Sequence, residues 1–298
     1  MTWEIAVAGT LHSDEIVTPA GGRPDQLGGS AVYFALAAVR YAPVHLNGIV
    51  GRDRADAFLE LLGDAAVGVD GLVISDLPTF RWHARHDFDS WAAVDTSSEE
   101  GCDPTWQPAL SAASVDAPVL FLASMRPSLQ SEVSLQSRAT MIGSDSMIEY
   151  TGPHAHAVGA VARSSDVIFL TRAELASLTG TEDHRWREAA VSVCGDGRLR
   201  AVVVKAGPEG AACVTASSVV ERPAAPVERV VDPTGAGDAL AGGFLGACAA
   251  AERDDVDFFA AALDAGLACA AAAISGFGLE GLLEESRESK EPKKTPRR

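Results

Sequence analysis

The sequence predicts an α/β fold: a largely parallel sheet covered by helices, with a few further strands standing outside it. Short apolar runs of strand length recur along the chain, separated by longer Ala- and Leu-rich periodic segments. The 298 residues, 47% of them hydrophobic, suffice for one large core, or one core with a small accessory piece. Two later stretches alternate polar and aromatic residues in period two with no helical segment between them, which breaks the rhythm.

In order along the chain, Ile5–Gly9 reads as a first buried strand and Ala31–Tyr41 as a helix. Val44–Val50 is a strand and Ala55–Ala66 a helix. Asp14–Thr18, and Thr79–Asp87 with Trp91–Thr96, are the strands expected outside the main sheet, as a flap or lid. Val119–Ala123, Val167–Leu170 and Ala201–Lys205 have the length and β-branched character of further buried strands. Helices are expected over 172–179, 184–194, 238–251 and 256–275. The charged tail 284–298, with Pro292 and Pro296, has the composition of a disordered segment.

A formal charge of −17 argues against nucleic acid, whose phosphates are met by Lys and Arg surfaces. The N-terminus lacks a basic segment followed by an apolar one, so no secretory signal is expected. The Ala-rich runs at 239–251 and 260–275 are broken by Gly or charge and predict packed helices, not membrane spans. Cys102, Cys194, Cys213, Cys248 and Cys269 are odd in number and widely spaced, which suits free thiols in a reducing cytoplasm.

The segment Val230-Val231-Asp232-Pro233-Thr234-Gly235-Ala236-Gly237-Asp238 carries most of the functional argument. Pro233 restricts the turn, and the glycines permit positive φ and close ligand approach. From Ala239 the residues are small and helix-favouring, so the turn opens onto a helix N-terminus. Free N–H groups there suit a phosphate or a transferring phosphoryl group. Asp238 sets a carboxylate beside that anion site, which is costly unless the carboxylate has work; deprotonating an attacking hydroxyl is such work. An isolated G-x-G is better read as a tight turn, with Asp238 capping a helix. Neither rival nucleotide pattern is met: GxxxxGK[ST] is absent, and the third Gly of GxGxxG falls on Leu240. The surrounding motifs decide.

Asp232–Asp238 resembles the C-terminal signature of the PfkB carbohydrate kinase family, the ribokinase-like kinases, a turn of the D-T-x-G-A-G-D type. Gly28-Gly29-Ser30-Ala31 and Gly48-Ile49-Val50-Gly51-Arg52-Asp53 resemble the family's second region. Gly9 with Asp14 resembles its first strand and substrate-contacting Asp, and Gly207-Pro208-Glu209-Gly210 its nucleotide-side loop. The resemblance implies one kinase domain over 1–283, with a ribokinase-like three-layer α/β/α Rossmann-like core. A small β lid would come from 14–20 and 78–97. It implies an ATP- and Mg2+-dependent phosphotransferase acting on a hydroxyl of a sugar or related small polyol. Asp238 would be the general base, and the amides of Gly235, Ala236 and Gly237 the anion hole. Asp14, Gly28 and Gly29 would contact substrate, and Thr171, Glu174, Lys205, Gly207, Gly210 and Thr234 the nucleotide side. Glu174 aligns with the Glu of an N-x-x-E motif that organises magnesium through water; a first-turn helix carboxylate favoured by the dipole is the plainer account of it. Homodimers through the lid are compatible with the resemblance.

Three positions depart from the family pattern. Tyr33 stands where an Asn often contacts sugar hydroxyls, Asp145-Ser146-Met147 lacks the Asn of a D-x-N motif, and Thr171 replaces the Asn of N-x-x-E. Tyr33 and a lid with Phe80, Trp82 and Trp91 admit a nucleoside kinase on the same fold, stacking on a base. The departures also admit a non-catalytic binding protein, against which the intact Asp238 stands. Arg81 or Arg85 on one face of a lid strand could reach substrate, against a solvated lid face. Arg126 follows the strand Val119–Ala123, near where strand ends line a crevice, and is a further substrate-side candidate. His154-Ala155-His156 follows Gly152-Pro153 without a third ligand and is read as a helix start.

Overall fold

The computed structural model describes residues 4–88 and 93–284. The expectations for Trp91 and for the tail beyond 284 therefore lie outside the described residues. The first half contains β1 (Ile5–Ala8), β2 (His12–Thr18), β3 (Gly21–Gly28), α1 (Ser30–Ala38), β4 (Val44–Gly51), α2 (Ala55–Asp64), β5 (Gly68–Ser75), β6 (Phe80–His86) and β7 (Ala93–Glu99). It continues through α3 (Ala112–Val115), β8 (Val119–Leu122), α4 (Pro127–Gln136) and β9 (Met141–Asp145). The second half holds α5 (Ile148–Thr151), α6 (Ala155–Ser164), β10 (Val167–Thr171), α7 (Arg172–Thr179), α8 (Trp186–Val193) and β11 (Ala201–Lys205). It closes with β12 (Ala211–Thr215), β13 (Val219–Arg222), α9 (Ala236–Ala251) and α10 (Phe259–Ala273).

One sheet has nine strands in the order β13-β12-β11-β10-β9-β8-β1-β4-β5. From β5 to β11 every pairing is parallel, and β12 pairs antiparallel with both of its neighbours. Except for the edge strand β5, the parallel strands are buried on both faces, as their apolar runs require. In β1, Ile5 and Val7 join the core shared with α1, α9 and α10, whereas Ala6 and Ala8 face the opposite side with Val133 of α4 and Val161 of α6. Stacked and edge-on rings tie the first layer together: Phe34 lies 4.0 Å from Phe121, and Phe169 packs edge-on against Phe121 and Phe244. A third cluster fills the space between α7, α8 and the β10–β12 strands. The result is an α/β/α sandwich.

Strand order reverses at β1, between β8 and β4, and open parallel sheets bind ligands at the carboxyl ends of their strands at such a switch point. A second sheet, β3-β2-β6-β7, stands outside the first. This is the expected lid, but it is larger than 14–20 and 78–97, because β3 adds Gly21–Gly28. Gly, Pro and charged residues hide β3 from a propensity reading, and pairing with β2 supplies its strand character. The lid is tied to the main body by partly buried hydrogen bonds. Thr18 Oγ1 donates to Val231 O at 2.8 Å, and Asp53 Oδ1 accepts from both the amide and the hydroxyl of Thr79 at 2.9 Å.

His154 caps α6, so the His154–His156 pair is the start of a helix as expected. No disulfide joins any of the five cysteines. Among the described residues no helix is long and apolar enough to cross a membrane, and no three His, Cys, Asp or Glu side chains converge on a metal position.

Candidate active site

The ends of β1, β8, β9, β10 and β11 open on one side of the sheet, and the N-terminus of α9 meets them there. Gly235 caps α9 with φ 73° and ψ 0°, the left-handed conformation in which glycine avoids a side-chain penalty. A Cβ at Gly235 would also collide with the ring of Tyr33, so two independent constraints select glycine there. Ala236, Gly237 and Asp238 form the first turn, whose N–H groups have no partner one turn earlier in the helix. Of the amides expected to face an anion, that of Ala236 already donates to Pro233 O at 3.3 Å and is partly engaged. Asp232 braces the turn from beneath, its two oxygens accepting the amides of Thr234 and Gly278 at 2.9 Å.

Asp238 is half-buried in this first turn. Burial pushes its carboxyl well above the usual aspartate range, Asp145 adds to the rise, and Lys205 opposes it. Lys205, the last residue of β11, places Nζ 2.8 Å from both oxygens of Asp145 at the end of β9 and 4.0 Å from Glu174 Oε2. Burial moves Asp145 up to about 6, with Lys205 pulling the other way. For Lys205 burial lowers the pKa, but Asp145 and Glu174 outweigh it and hold the ammonium charged. Gly237 lies so close that a Cβ there would stand 3.2 Å from Lys205 Nζ. A buried cation thus sits beside the helix N-terminus, flanked by three carboxylates. Asp145 is a member the sequence reading did not assign: its partner is 60 residues away, and only the β9-β10-β11 order brings them together.

Glu174 and Thr171 form a capping box at the start of α7. Thr171 Oγ1 accepts from Glu174 N at 3.1 Å, and Thr171 N donates to Glu174 Oε2 at 2.7 Å. The plainer account of Glu174 as a helix-start carboxylate is therefore correct, and the same side chain also faces the Lys205 cluster. Beside it, Gly207–Gly210 forms the turn between β11 and β12, with positive φ at both glycines. Arg172 fastens that turn through paired bonds of 2.8 Å to Glu209 and stacks on Trp186.

Asp14, Gly28, Gly29 and Tyr33 gather where the lid meets the start of α1. Asp14, 2% exposed in β2, approaches Gly28 so closely that any Cβ at 28 would overlap its carboxylate. Burial moves Asp14 up to about 7. Gly29 caps α1 at φ 101° and lets the chain at Thr10–His12 pass alongside. Tyr33 is 2% exposed; its hydroxyl has no protein partner, and burial together with Asp14, Asp232 and Asp238 keeps the phenol protonated. Its ring packs on Gly235, which leaves the hydroxyl and not that ring face without a protein partner.

The lid corrects a second expectation. Arg81 is taken by Asp25 at 3.3 Å and Arg85 is exposed, so that face of β6 looks away from the site. The opposite face closes over it: His86 Nε2 lies 3.2 Å from Thr234 Oγ1 in the glycine-rich turn. Arg126 caps α4 at the end of β8 and is exposed, close enough to Tyr150 to act on its phenol.

Residues 130–285 match the family described as pfkB family carbohydrate kinase. A cytidine kinase from Thermococcus kodakarensis is 28% identical over 249 residues, spanning 81% of this chain and 87% of that protein. The structure of adenosine kinase from Sinorhizobium meliloti is similar with a TM-score of 0.80 at 18% identity, covering 97% of this chain and 100% of that one. Ribokinase from Cryptococcus neoformans in complex with ADP gives 0.77 at 19%, again over 97% and 100%. At these identities the two structures establish the fold, with nearly the whole length of each chain superposed.

Proposed function

Because the chain belongs to the pfkB family of carbohydrate kinases, we propose that its Asp238 is the base of an ATP-dependent transfer to a hydroxyl held beneath the lid. The enzyme is an ATP-dependent phosphotransferase acting on a hydroxyl of a sugar or a related small molecule. The observation that carries the site assignment is the position of Asp238. It lies in the first turn of α9, within electrostatic reach of both the Lys205–Asp145 pair and Tyr33 beside Asp14.

Asp14 and the Gly28–Gly29 corner receive the substrate's hydroxyls, and the Tyr33 hydroxyl meets the part of the substrate nearest the turn. Asp238 takes the proton of the attacking hydroxyl as its oxygen bonds to the γ-phosphorus. The bond from that phosphorus to the β-bridging oxygen breaks, and ADP leaves. The amides of the 235–238 turn and the Lys205 ammonium stabilise the charge on the migrating group, the main source of catalysis in a loose phosphoryl-transfer transition state. Thr234, Thr171 and the Gly207–Gly210 turn border the nucleotide.

Magnesium enters in a limited way. Lys205 sits between Asp145 and Glu174, so these carboxylates do not form a direct metal cage, whereas Glu174 fits contact through water. Bound on the nucleotide, magnesium would neutralise phosphate charge.

A nucleoside reading is favoured over a free sugar by one local feature. Next to Asp14 the ring of His12 lies against Phe80 with centroids 4.2 Å apart and planes tilted by 32°, an aromatic surface that a bare sugar does not need. The cytidine kinase relative supports the same choice. Steady-state turnover of nucleosides against free pentoses and hexoses tests it; a clear preference for free sugars would reverse it.

A further inference from the structure

A row of side chains leads away from the reacting end toward the root of the lid. Tyr33 lies within electrostatic reach of Asp238, Asp232 and Asp14 together. His12 Nδ1 stands 4.0 Å from Asp14 Oδ1, and His12 Nε2 stands 3.6 Å from Asp103 Oδ2. Asp103 opens a 3₁₀ turn, Asp103–Thr105, soon after β7 leaves the lid. His12 and Phe80 are neighbours across β2 and β6, which fixes the ring pair at this spot.

Three atoms in this row, Asp14 Oδ1, His12 Nε2 and Asp103 Oδ1, are buried and have no hydrogen-bond partner. Unpaired buried polar atoms are costly, so a ligand, an ion or an ordered water supplies the missing bond. Asp14 is accounted for by the substrate's hydroxyls. Asp103 is not, since it lies beyond His12 and is too remote for the transferred group.

We propose that Asp103, with His12 beside it, reads the end of the substrate remote from the transferred phosphoryl group, and that this end is a nucleobase carrying an exocyclic amino group. The inference rests on the nucleoside reading above and extends it. An ionised carboxylate only accepts hydrogen bonds. The amino group of a 4-aminopyrimidine or 6-aminopurine is the outermost polar group of its base and donates. A carbonyl oxygen in that place would set two acceptors against each other and leave Asp103 unpaired, the arrangement that polar sites reject most strongly. His12 Nε2 donates or accepts according to tautomer and so adapts to the ring nitrogen adjoining the amino group. A sugar already carrying a phosphate at this end would face the Asp103 carboxylate and be refused.

The test is the set of kcat and KM values for cytidine, uridine, adenosine and inosine, with saturating Mg·ATP, for wild type and Asp103→Asn. Wild type is expected to favour the amino member of each pair it turns over by about tenfold or more in kcat/KM, the size of one hydrogen bond to a charged group. Asp103→Asn, whose amide donates as well as accepts, should bring that ratio toward one by raising KM for the amino nucleoside, with kcat and the KM for ATP within about twofold. A structural role for Asp103 would weaken all substrates alike, so a uniform loss overturns the proposal. Oxo-base preference or equal rates in wild type, or selectivity that survives the substitution, overturn it as well, and each leaves the nucleoside reading standing. Wild type that turns over none of the four overturns both together.

Discussion

Asp14 shows most directly how the site spends stability on function. Its pKa stands near 7 against 3.8 for an ordinary aspartate, and burial is the cause. A group whose folded pKa is raised contributes stability below its unfolded pKa and loses it as pH climbs to the folded value. The ligand-free protein should therefore lose stability between about pH 4 and pH 7. Asp14→Asn, neutral throughout, should flatten that slope and be the more stable protein at pH 8, by a few kcal/mol at most, while binding substrate poorly. Urea denaturation at a series of pH values checks this; an unchanged slope in the variant would locate the cost elsewhere. Lys205 presents the reverse case. Its ammonium is the partner of a buried carboxylate, so Lys205→Met should destabilise by about 3–5 kcal/mol at neutral pH. Equilibrium denaturation would detect a loss of that size at once.

Among the elements, the turn between β11 and β12 has a defined anchor in the Arg172–Glu209 pair, which bridges it to the start of α7. Glu209 is largely exposed, so solvent screens the pair and it adds little to stability. Its effect should appear in positioning: Glu209→Gln is expected to raise the KM for ATP several-fold, with unfolding midpoints nearly unchanged. Elements with strong local signals were legible in the sequence. Ala201–Lys205 falls where expected, and the helix after the glycine-rich turn ends at Ala251 as expected, starting two residues earlier at Ala236. Gly68–Ser75 and Val219–Arg222 were missed despite their β-branched residues, and three further strands were missed because their residues carry little preference of their own. Gly21–Gly28 is polar and glycine-rich, Met141–Asp145 contains Gly and Asp, and Ala211–Thr215 opens on two alanines; each becomes a strand through its neighbours. The site divides the same way. Asp238 and Asp14 stand in motifs that the sequence displays, whereas Asp145 and Asp103 acquire partners only when distant strands are laid side by side.

Across the whole molecule, the lid and the main body share the residues of the proposed site. Asp14 and His86 come from lid strands, and Asp238 and Lys205 from the α/β/α body. Thr18 to Val231 and His86 to Thr234 join the two at the glycine-rich turn itself, so lid order and turn geometry depend on each other. We expect the chain to unfold as one cooperative unit, and substrate to stabilise both sheets together. A ligand at a hundred times its Kd adds about 2.7 kcal/mol, which calorimetry should register as one transition moving upward. Two transitions, with only one of them shifted, would separate the lid from the body.

The central claim is that Asp238 deprotonates the acceptor hydroxyl beside the α9 N-terminus, and ADP formation from Mg·ATP by wild type and Asp238→Asn tests it most directly. With the best nucleoside or sugar as acceptor, kcat should fall by about 10² to 10⁴, while ATP still binds and the fold is unchanged. An Asp238→Asn protein that turns over at the wild-type rate would contradict the claim and leave the carboxylate as no more than a helix cap.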